Sequence, residues 1–137
     1  MMGKYEEVLK NIYGVFNGAA WKDLNINTQP ENYKGITTET IVVTPLFTGG
    51  SFPGTASSSI SGVIMIDIFV EANKGPLRAH QIAGALDLLL VEKSIVATSG
   101  NVTQLLRSSL ASIGLDAANK TLYRYSYSIP FNHFGAN

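Results

Sequence analysis

The alternation of apolar and other side chains is clearest in residues 60–70. One face of this run carries Ile60, Ile64, Ile66, Ile68 and Val70, with Gly62 among them. Period-two alternation rich in branched side chains is typical of a half-buried strand. The pattern therefore predicts a strand that turns one apolar face toward a core.

A helical pattern follows in residues 76–92. Gly75 and Pro76 mark the helix start, with Pro76 at the first helical position. The apolar stripe of this helix consists of Ile82, Leu86, Leu89 and Leu90. One apolar sheet face and one apolar helix stripe together predict a two-layer core.

Residues 4–20 have helical spacing as well and are predicted to form the first helix. The shared face carries Tyr5, Leu9, Ile12 and Phe16, widened by Val8, Val15 and Ala19. Glu6 and Glu7 lie in the first turn, where acidic groups favour the helix dipole. Gly18 is the expected end of the helix, and Trp21 just beyond it is predicted to fill the core.

Two strands and a hairpin tip are expected between residues 24 and 55. A short strand is predicted at residues 24–27 and a longer one at 36–48, where Pro45 indicates a bulge or an exposed edge. Residues 49–55, Gly-Gly-Ser-Phe-Pro-Gly-Thr, are typical of the tip of an extended hairpin. A strand follows instead of a helix, so a phosphate-binding loop is not predicted. The tip is either an arm that orders against a partner, with Phe52 as its apolar anchor, or inert.

The C-terminal third contains one ambiguous stretch and one clear strand. In residues 94–113 the apolar spacing favours a helix, although many of these residues are Ser and Thr, which form helices weakly. Residues 121–131 alternate as a strand whose one face carries Tyr123, Tyr125, Tyr127, Ile129 and Phe131. This aromatic ladder suits a core face or a buried subunit interface equally well.

The order of elements predicts a single α+β domain over residues 1–137. Its sheet is expected to be mainly antiparallel (mixed), with two helices packed on one face and a long β-hairpin arm.

Composition points toward association with other proteins. Only 15% of the 137 residues are charged, against an ordinary share of about 25%. Such a shortage favours a surface partly covered by partners, first of all by other copies of the chain, over a monomer with a Ser/Thr/Asn-rich surface. Ten basic and ten acidic residues balance, so no field attracts nucleic acid or an anionic membrane. No signal peptide or membrane span is recognised, which predicts a cytosolic origin.

Residues that could support chemistry are few. The chain has no cysteine, which excludes disulfides and thiolate metal sites. His80 and His133 lack metal-site spacing and are expected to be solvated. Asp67 is the one carboxylate within the apolar strand, and alternation favours the solvent face for it over a general base or an intersubunit ion pair. No nucleophile motif occurs, so we predict no enzyme, no cofactor and no metal.

Three groups of residues carry a resemblance to a known family. They are the helix before Trp21 with the following Asn-Ile-Asn at residues 25–27, the long strand with Glu-Ala-Asn-Lys-Gly-Pro at 71–76 and a Leu-rich helix, and the ending at residues 122–131. Over nearly its full length the chain resembles the tail terminator proteins of long-tailed bacteriophages.

The resemblance implies a structural protein of the virion, assembled in the host cytoplasm at the head-proximal end of the tail. Its subunits would form a hexameric ring that caps the tail tube, stops its polymerisation and presents a surface to the head-completion (connector) protein. The tail tube protein and other copies of the chain would be its partners, without specific nucleic-acid or membrane binding. The resemblance also implies that residues 102–112 form a strand paired with residues 121–131.

The predicted interface residues follow from this assembly. The arm would contribute Phe52, Gly49, Gly50 and Gly54, and further contacts would come from Arg78, Arg107 and Tyr125. Two other interpretations remain open. One is another head-tail joining or tube ring protein of the same particle, and the other is a small ligand-binding α+β module.

Overall fold

The computed structural model describes residues 4–30, 36, 38–50, 57–72, 76–97, 99–115 and 121–136. Its helices are α1 (Lys4–Phe16), α2 (Ala19–Lys22) and α3 (Leu77–Leu90). Its strands are β1 (Thr28–Pro30), β2 (Thr40–Gly50), β3 (Ser57–Glu71), β4 (Ser94–Val96), β5 (Val102–Leu105), β6 (Ser109–Leu115) and β7 (Leu122–Ala136). The predicted α+β class is confirmed, with three helices among the described residues where two were expected.

The seven strands form one mixed sheet in the order β1-β2-β3-β7-β5-β4, and β6 pairs with β7 beside β5. Only the pairing of β1 with β2 is parallel, and the other ladders are antiparallel. The ladder between β3 and β7 is unbroken from Ser57 opposite Ala136 to Glu71 opposite Leu122. These two 15-residue strands are therefore the centre of the sheet.

The ambiguous stretch is extended and pairs with β7, so the helical spacing was misleading, but the single strand predicted over residues 102–112 is divided into β5 and β6, which lie opposite residues 131–134 and 123–128. β5 and β6 lie one after the other along β7. Between them the register shifts by one residue, because Leu105 is opposite Phe131 while Leu110 is opposite Tyr127. Both leucines thus turn toward the helices. Because the inward-facing positions shift by one residue between β5 and β6, the apolar residues of the two strands are spaced like those of a helix.

All three helices cover the same face of the sheet, which we call the inner face. Three residues of α1 are buried there, Val8, Ile12 and Phe16. From α3 the buried residues are Ala79, Ile82, Ala83, Leu86 and Leu90. The buried stripe of α1 is rotated relative to the predicted one, because Tyr5 is exposed and Val8 is buried instead. The aromatic ladder of β7 also faces inward, and Tyr127, Ile129 and Phe131 are fully buried.

Several element ends differ from the expected ones by a few residues. α1 stops at Phe16, and Gly18 is the N-cap of α2 instead of the end of a longer helix. Trp21 lies in α2 and is buried, as predicted. The short strand lies at Thr28–Pro30 and not at residues 24–27, because its parallel register with β2 starts there. Pro76 is the N-cap of α3 instead of its first residue, and Gly75 lies outside the described residues.

Gly62 is required by the packing of the inner face. It is opposite Phe47 on one side and Phe131 on the other. A Cβ atom on Gly62 would overlap the carbonyl oxygen of Leu46 and the ring of Phe131. The two aromatic rings lie edge to face, with centroids 6.1 Å apart, and fill the space that the missing side chain leaves.

The opposite face of the sheet, the outer face, is covered at one end only. Val42, Phe69 and Leu122 form a small buried cluster there, with Ile36 packed against it. Farther along, Met65 and Val63 are half-buried and Leu46 is exposed. The described helices leave this part of the outer face open.

Candidate functional site

A cluster of polar side chains is buried between α1 and the β5–β7 ladder. Glu7 and Asn11 are one helical turn apart and share a flank of α1. Thr103 and His133 are opposite each other in β5 and β7. Thr103 and His133 are fully buried, and Glu7 nearly so. The cluster therefore joins the first helix to the far end of the chain.

Hydrogen bonds satisfy most of this cluster. The carboxylate of Glu7 accepts from the amide of Asn101 at 2.8 Å and from the hydroxyl of Ser99 at 2.9 Å. The amide of Asn11 donates to Thr103 Oγ1 at 2.9 Å. Thr103 Oγ1 is also 2.8 Å from His133 Nδ1, so the threonine proton is free to be donated to that nitrogen.

The arrangement favours an ionised Glu7 and a neutral His133. His133 Nε2 lies 3.2 Å from Glu7 Oε1, close enough for attraction but without the alignment of a hydrogen bond. Burial lowers the pKa of His133, although the carboxylate of Glu7 acts in the other direction. The hydrogen bond from Asn101 lowers the pKa of Glu7, with help from Ser99 and His133 and against the cost of burial. The expectation of a solvated His133 was wrong.

The contacts from Thr103 to His133 and from His133 to Glu7 resemble a catalytic nucleophile with its general base and carboxylate. The buried hydroxyl of Thr103 is not placed to act as a nucleophile. Thr103 is completely buried, and its hydroxyl oxygen already accepts from Asn11. A substrate carbonyl would have to displace α1 to reach it. The cluster holds α1 against the sheet. The sequence did contain a signal for the burial of His133, because this residue continues the inward-facing alternation of β7 two residues beyond Phe131.

A second polar contact, partly exposed, joins α3 to the break between β5 and β6. Asp87 Oδ1 accepts from the hydroxyl of Tyr127 at 2.7 Å and from that of Ser108 at 2.6 Å. Burial and the adjacent Asp87 carboxylate raise the pKa of Tyr127 well above its ordinary value. Tyr127 is opposite Leu110 of β6. α3 therefore lies over the β6–β7 ladder, on one side of the molecule.

Asp67 lies on the outer face, as predicted. It accepts two hydrogen bonds from the guanidinium of Arg124, at 2.9 and 3.2 Å. That guanidinium carbon is also 5.8 Å from the ring centroid of Phe69. Asp67 is thus paired within the chain.

The two arginines predicted to contact another subunit occupy different surroundings. Arg78 makes a two-pronged contact with Glu39, at 2.7 and 2.9 Å. Arg107 is largely exposed, with only Glu92 at 3.3 Å beside it. His80 is exposed, with Nδ1 2.7 Å from the carbonyl of Pro76. The predicted intersubunit roles of both arginines stay predictions.

The remaining predicted interface residues divide between the core and the hairpin. Tyr125 is buried in the core and packs edge to face on His80, with centroids 5.7 Å apart. Gly49 and Gly50 end β2 opposite Ser61 and Ile60. Phe52 and Gly54 lie outside the described residues, and so does the rest of the predicted arm beyond Gly50.

A cavity of about 460 Å³ lies beside Trp21. The sequence predicted this tryptophan only as a core residue. Tyr13, Phe16, Lys22 and residues 26–30 line it together with Trp21. The indole nitrogen of Trp21 donates to Thr28 Oγ1 at 2.8 Å, which fixes the ring at the wall.

Large apolar side chains are exposed on several elements. On α3, Leu88 is 82% and Leu77 68% exposed. On β6 the corresponding values are 55% for Ile113 and 57% for Leu115, and on β2 they are 46% for Leu46 and 37% for Phe47. Exposed apolar patches of soluble proteins are often contact surfaces. These residues are the strongest candidates for contacts with other molecules.

Within the described ranges, no group of three or more His, Asp or Glu side chains is placed to hold a metal ion. None of the helices in those ranges has the length and apolar character of a membrane-crossing helix.

The fold occurs in solved protein structures. The similarity to one of them covers 93% of this chain and 90% of the other chain, with a TM-score of 0.62 and 13% sequence identity. At that identity the likeness shows the α+β fold alone. No protein-family model matches the chain, and no curated protein matches it.

Proposed function

We propose that this chain is a structural subunit that associates with copies of itself into a ring, and that this ring is the tail terminator of a long-tailed bacteriophage. The observation that carries the proposal is the exposure of large apolar side chains on α3, β2 and β6. Burying them against other subunits would stabilise an assembly by about 25 cal/mol for each Å² removed from water.

The mechanism is steric. One face of the ring binds the open end of the tail tube, and the opposite face offers no site for another tube subunit, so elongation stops. Each contact is repeated around the ring, and modest affinity per subunit therefore becomes strong binding overall. The resemblance to terminators supports the tail assignment, and the low charge content supports association in general.

Tail length in particles assembled without this protein tests the terminator proposal. Electron microscopy should then show overlong tubes of uneven length that are not attached to filled heads. Restoring the protein should restore uniform tails. Tails of normal length without it would remove the terminator function, and headless tails of normal length would favour a head-tail joining protein.

The cavity beside Trp21 supports a second candidate, a small-molecule-binding module. Its volume of about 460 Å³ lies in the range of ligand pockets, and Trp21 is the only tryptophan of the chain. A bound ligand should change Trp21 fluorescence in a saturable way and raise the melting temperature. A metabolite screen without either change would remove this candidate.

A further inference from the structure

Besides the three-residue edge strands β1 and β4, the described structure has two longer uncharged sheet edges on opposite sides of the molecule. Along the outer side of β2, β1 pairs only as far as Val43, so among the described residues positions 44–50 are unpaired there. β6 is paired on one side only, with β7, in the same described part of the chain. Each free edge is seven residues long and carries no charged side chain.

Edges of this kind attract another strand. An unpaired strand presents backbone N–H and C=O groups, and monomeric proteins usually protect such edges with charges, proline or a cover. The β6 edge has neither a charge nor a proline, and it exposes Ile113 and Leu115. The β2 edge exposes Leu46 and Phe47. Pro45 protects the start of the β2 edge and a register shift between Ser112 and Gly114 interrupts β6, but neither edge has a charge, and the exposed apolar side chains give both the character of contact surfaces.

We propose that β6 of one copy pairs with β2 of the next, so that the sheet continues from subunit to subunit. This inference deepens the proposed function and rests on it, because it names the contact from which a ring would be built.

Strand direction is compatible with this contact. β2, β3, β7 and β6 alternate antiparallel within the chain. If a second copy stands in the same orientation beside the first, its β2 runs antiparallel to β6 of its neighbour. The alternation then continues without a break, and repetition gives a head-to-tail assembly, which is a ring when the rotation between neighbouring copies closes.

Pro45 argues against pairing between two β2 edges. The N–H of Ile41 donates to the carbonyl of Asn27, so odd-numbered residues in this part of β2 direct their backbone groups to the free side. Pro45 shares that side and has no N–H. On the same side, the Tyr13 hydroxyl already donates to the carbonyl of Val43. Pairing two β2 edges would bring two prolines and two occupied carbonyls into one ladder, whereas pairing β2 with β6, which has no proline, brings in only one of each.

Charge also favours a second copy as the occupant. Neither edge has a like charge to repel the other, and the two free edges, on β6 and β2, each leave two large apolar side chains exposed. A two-fold contact between β6 strands would cover one edge and leave Leu46 and Phe47 in water. The head-to-tail contact covers both.

Single cysteines in this cysteine-free chain test the contact directly. Ala111 and Thr44 both project from the outer face, because they are opposite Ser126 and Met65. Purified Ala111→Cys and Thr44→Cys chains, with different tags, are mixed and treated with a short bifunctional maleimide. We expect cross-linked pairs that contain one chain of each kind, and no product from either variant alone.

The other outcomes overturn the proposal. Cross-linking of Ala111→Cys with itself would show a two-fold β6 contact, and no cross-linking in any mixture at the highest soluble concentration would exclude β6–β2 pairing. Lys10→Cys, on the exposed side of α1, replaces Ala111→Cys in the control and should give no product with Thr44→Cys. Circular dichroism confirms that each variant is folded.

A charge on the edge provides an independent test. Ala111→Lys should leave the melting temperature unchanged and abolish self-association in sedimentation velocity, because a lysine on an edge strand opposes pairing. Gln81→Lys adds the same charge on the exposed face of α3 and should associate like the wild type. If only Gln81→Lys prevents association, the contact lies on α3 and the proposal is wrong.

These tests are separate from the tail-length experiment. Cross-linking of the purified chain with normal tails in its absence would keep the contact and remove the terminator function. Overlong tails without any cross-linking would keep the terminator function and remove this contact.

Discussion

The inner face of the sheet and its free edges differ in whether their polar groups are paired. On the inner face, Glu7 and His133 are buried and almost every polar atom near them has a partner. Along β6 and the free part of β2, apolar side chains and backbone groups face outward among the described residues. A buried polar group is tolerated only when it is paired, whereas an uncharged open edge is available to pair with another strand. The first region thus stabilises the fold, and the second is the surface of the proposed contact between copies.

The largest difference between the two faces should appear within β3. Ile66 is fully buried on the inner face, and its neighbour Met65 is half-buried on the outer face. Ile66→Ala should lower the free energy of unfolding by about 4 kcal/mol, since it leaves a cavity in the core. Met65→Ala should cost about 1 kcal/mol. Urea unfolding followed by circular dichroism measures both, and equal losses would contradict the two-sided description of the sheet.

A smaller but still large effect is expected from filling the space at Gly62. Gly62→Ala should destabilise the fold by about 3 kcal/mol, because the new methyl group meets a backbone oxygen and an aromatic ring. Gly84→Ala is the matched control, since a Cβ there meets nothing within 4 Å. That control should be neutral or stabilising by up to about 1 kcal/mol in a helix. A neutral Gly62→Ala would show that Phe131 can move aside.

The buried polar cluster should make stability depend on pH. The pKa of His133 is below its ordinary value of 6.5 in the folded chain, so below pH 6.5 the unfolded chain binds more protons. The stability contributed by His133 is therefore complete above pH 6.5 and is lost as the pH falls through its folded pKa. Glu7, whose pKa is below 4.5, adds a further loss below pH 4.5.

Two histidine variants isolate this effect. His133→Gln should flatten the fall in melting temperature just below pH 6.5, and His80→Gln, at an exposed site, should retain the wild-type slope. Glu7→Gln at pH 7 should cost about 2 kcal/mol, because it weakens paired hydrogen bonds in a buried site. A wild-type slope in His133→Gln would assign the acid sensitivity to other groups.

The smallest effect is expected on the outer face. Asp67 and Arg124 are partly exposed, with 25% and 39% of their side chains accessible, so solvent screens their attraction. A double-mutant cycle with Asp67→Asn and Arg124→Gln should give a coupling energy below about 1 kcal/mol. A much larger value, reduced on dilution, would indicate that a second copy covers this face.

Much of the fold could be predicted from local patterns. Alternation identified β3 and β7, and the stripe of Ile82 and Leu86 identified α3, because each element turns one apolar side to the core. The stretch around β5 and β6 could not be assigned in this way. Its one-residue change of phase becomes visible only when Leu105 and Leu110 are seen against β7.

The candidate site was less accessible to sequence reasoning. Glu7 and His133 are separated by nearly the whole chain, and neither has a local partner that marks it as buried. Arg78 and Arg107 are predicted to make polar contacts between subunits, and the structure adds that Arg78 is paired with Glu39, which no spacing indicates. The sequence alone did not decide whether Tyr125 lies in the core or in a subunit interface, because that depends on its neighbours in the fold.

The sequence by itself determined where the longest strands and helices lie and how few charges the surface can carry, because periodicity and composition are local properties. Only the tertiary structure decided which strands meet, which polar groups are paired and which edges stay open in the described chain. These properties depend on contacts between distant residues, and the position of a residue along the chain does not contain them.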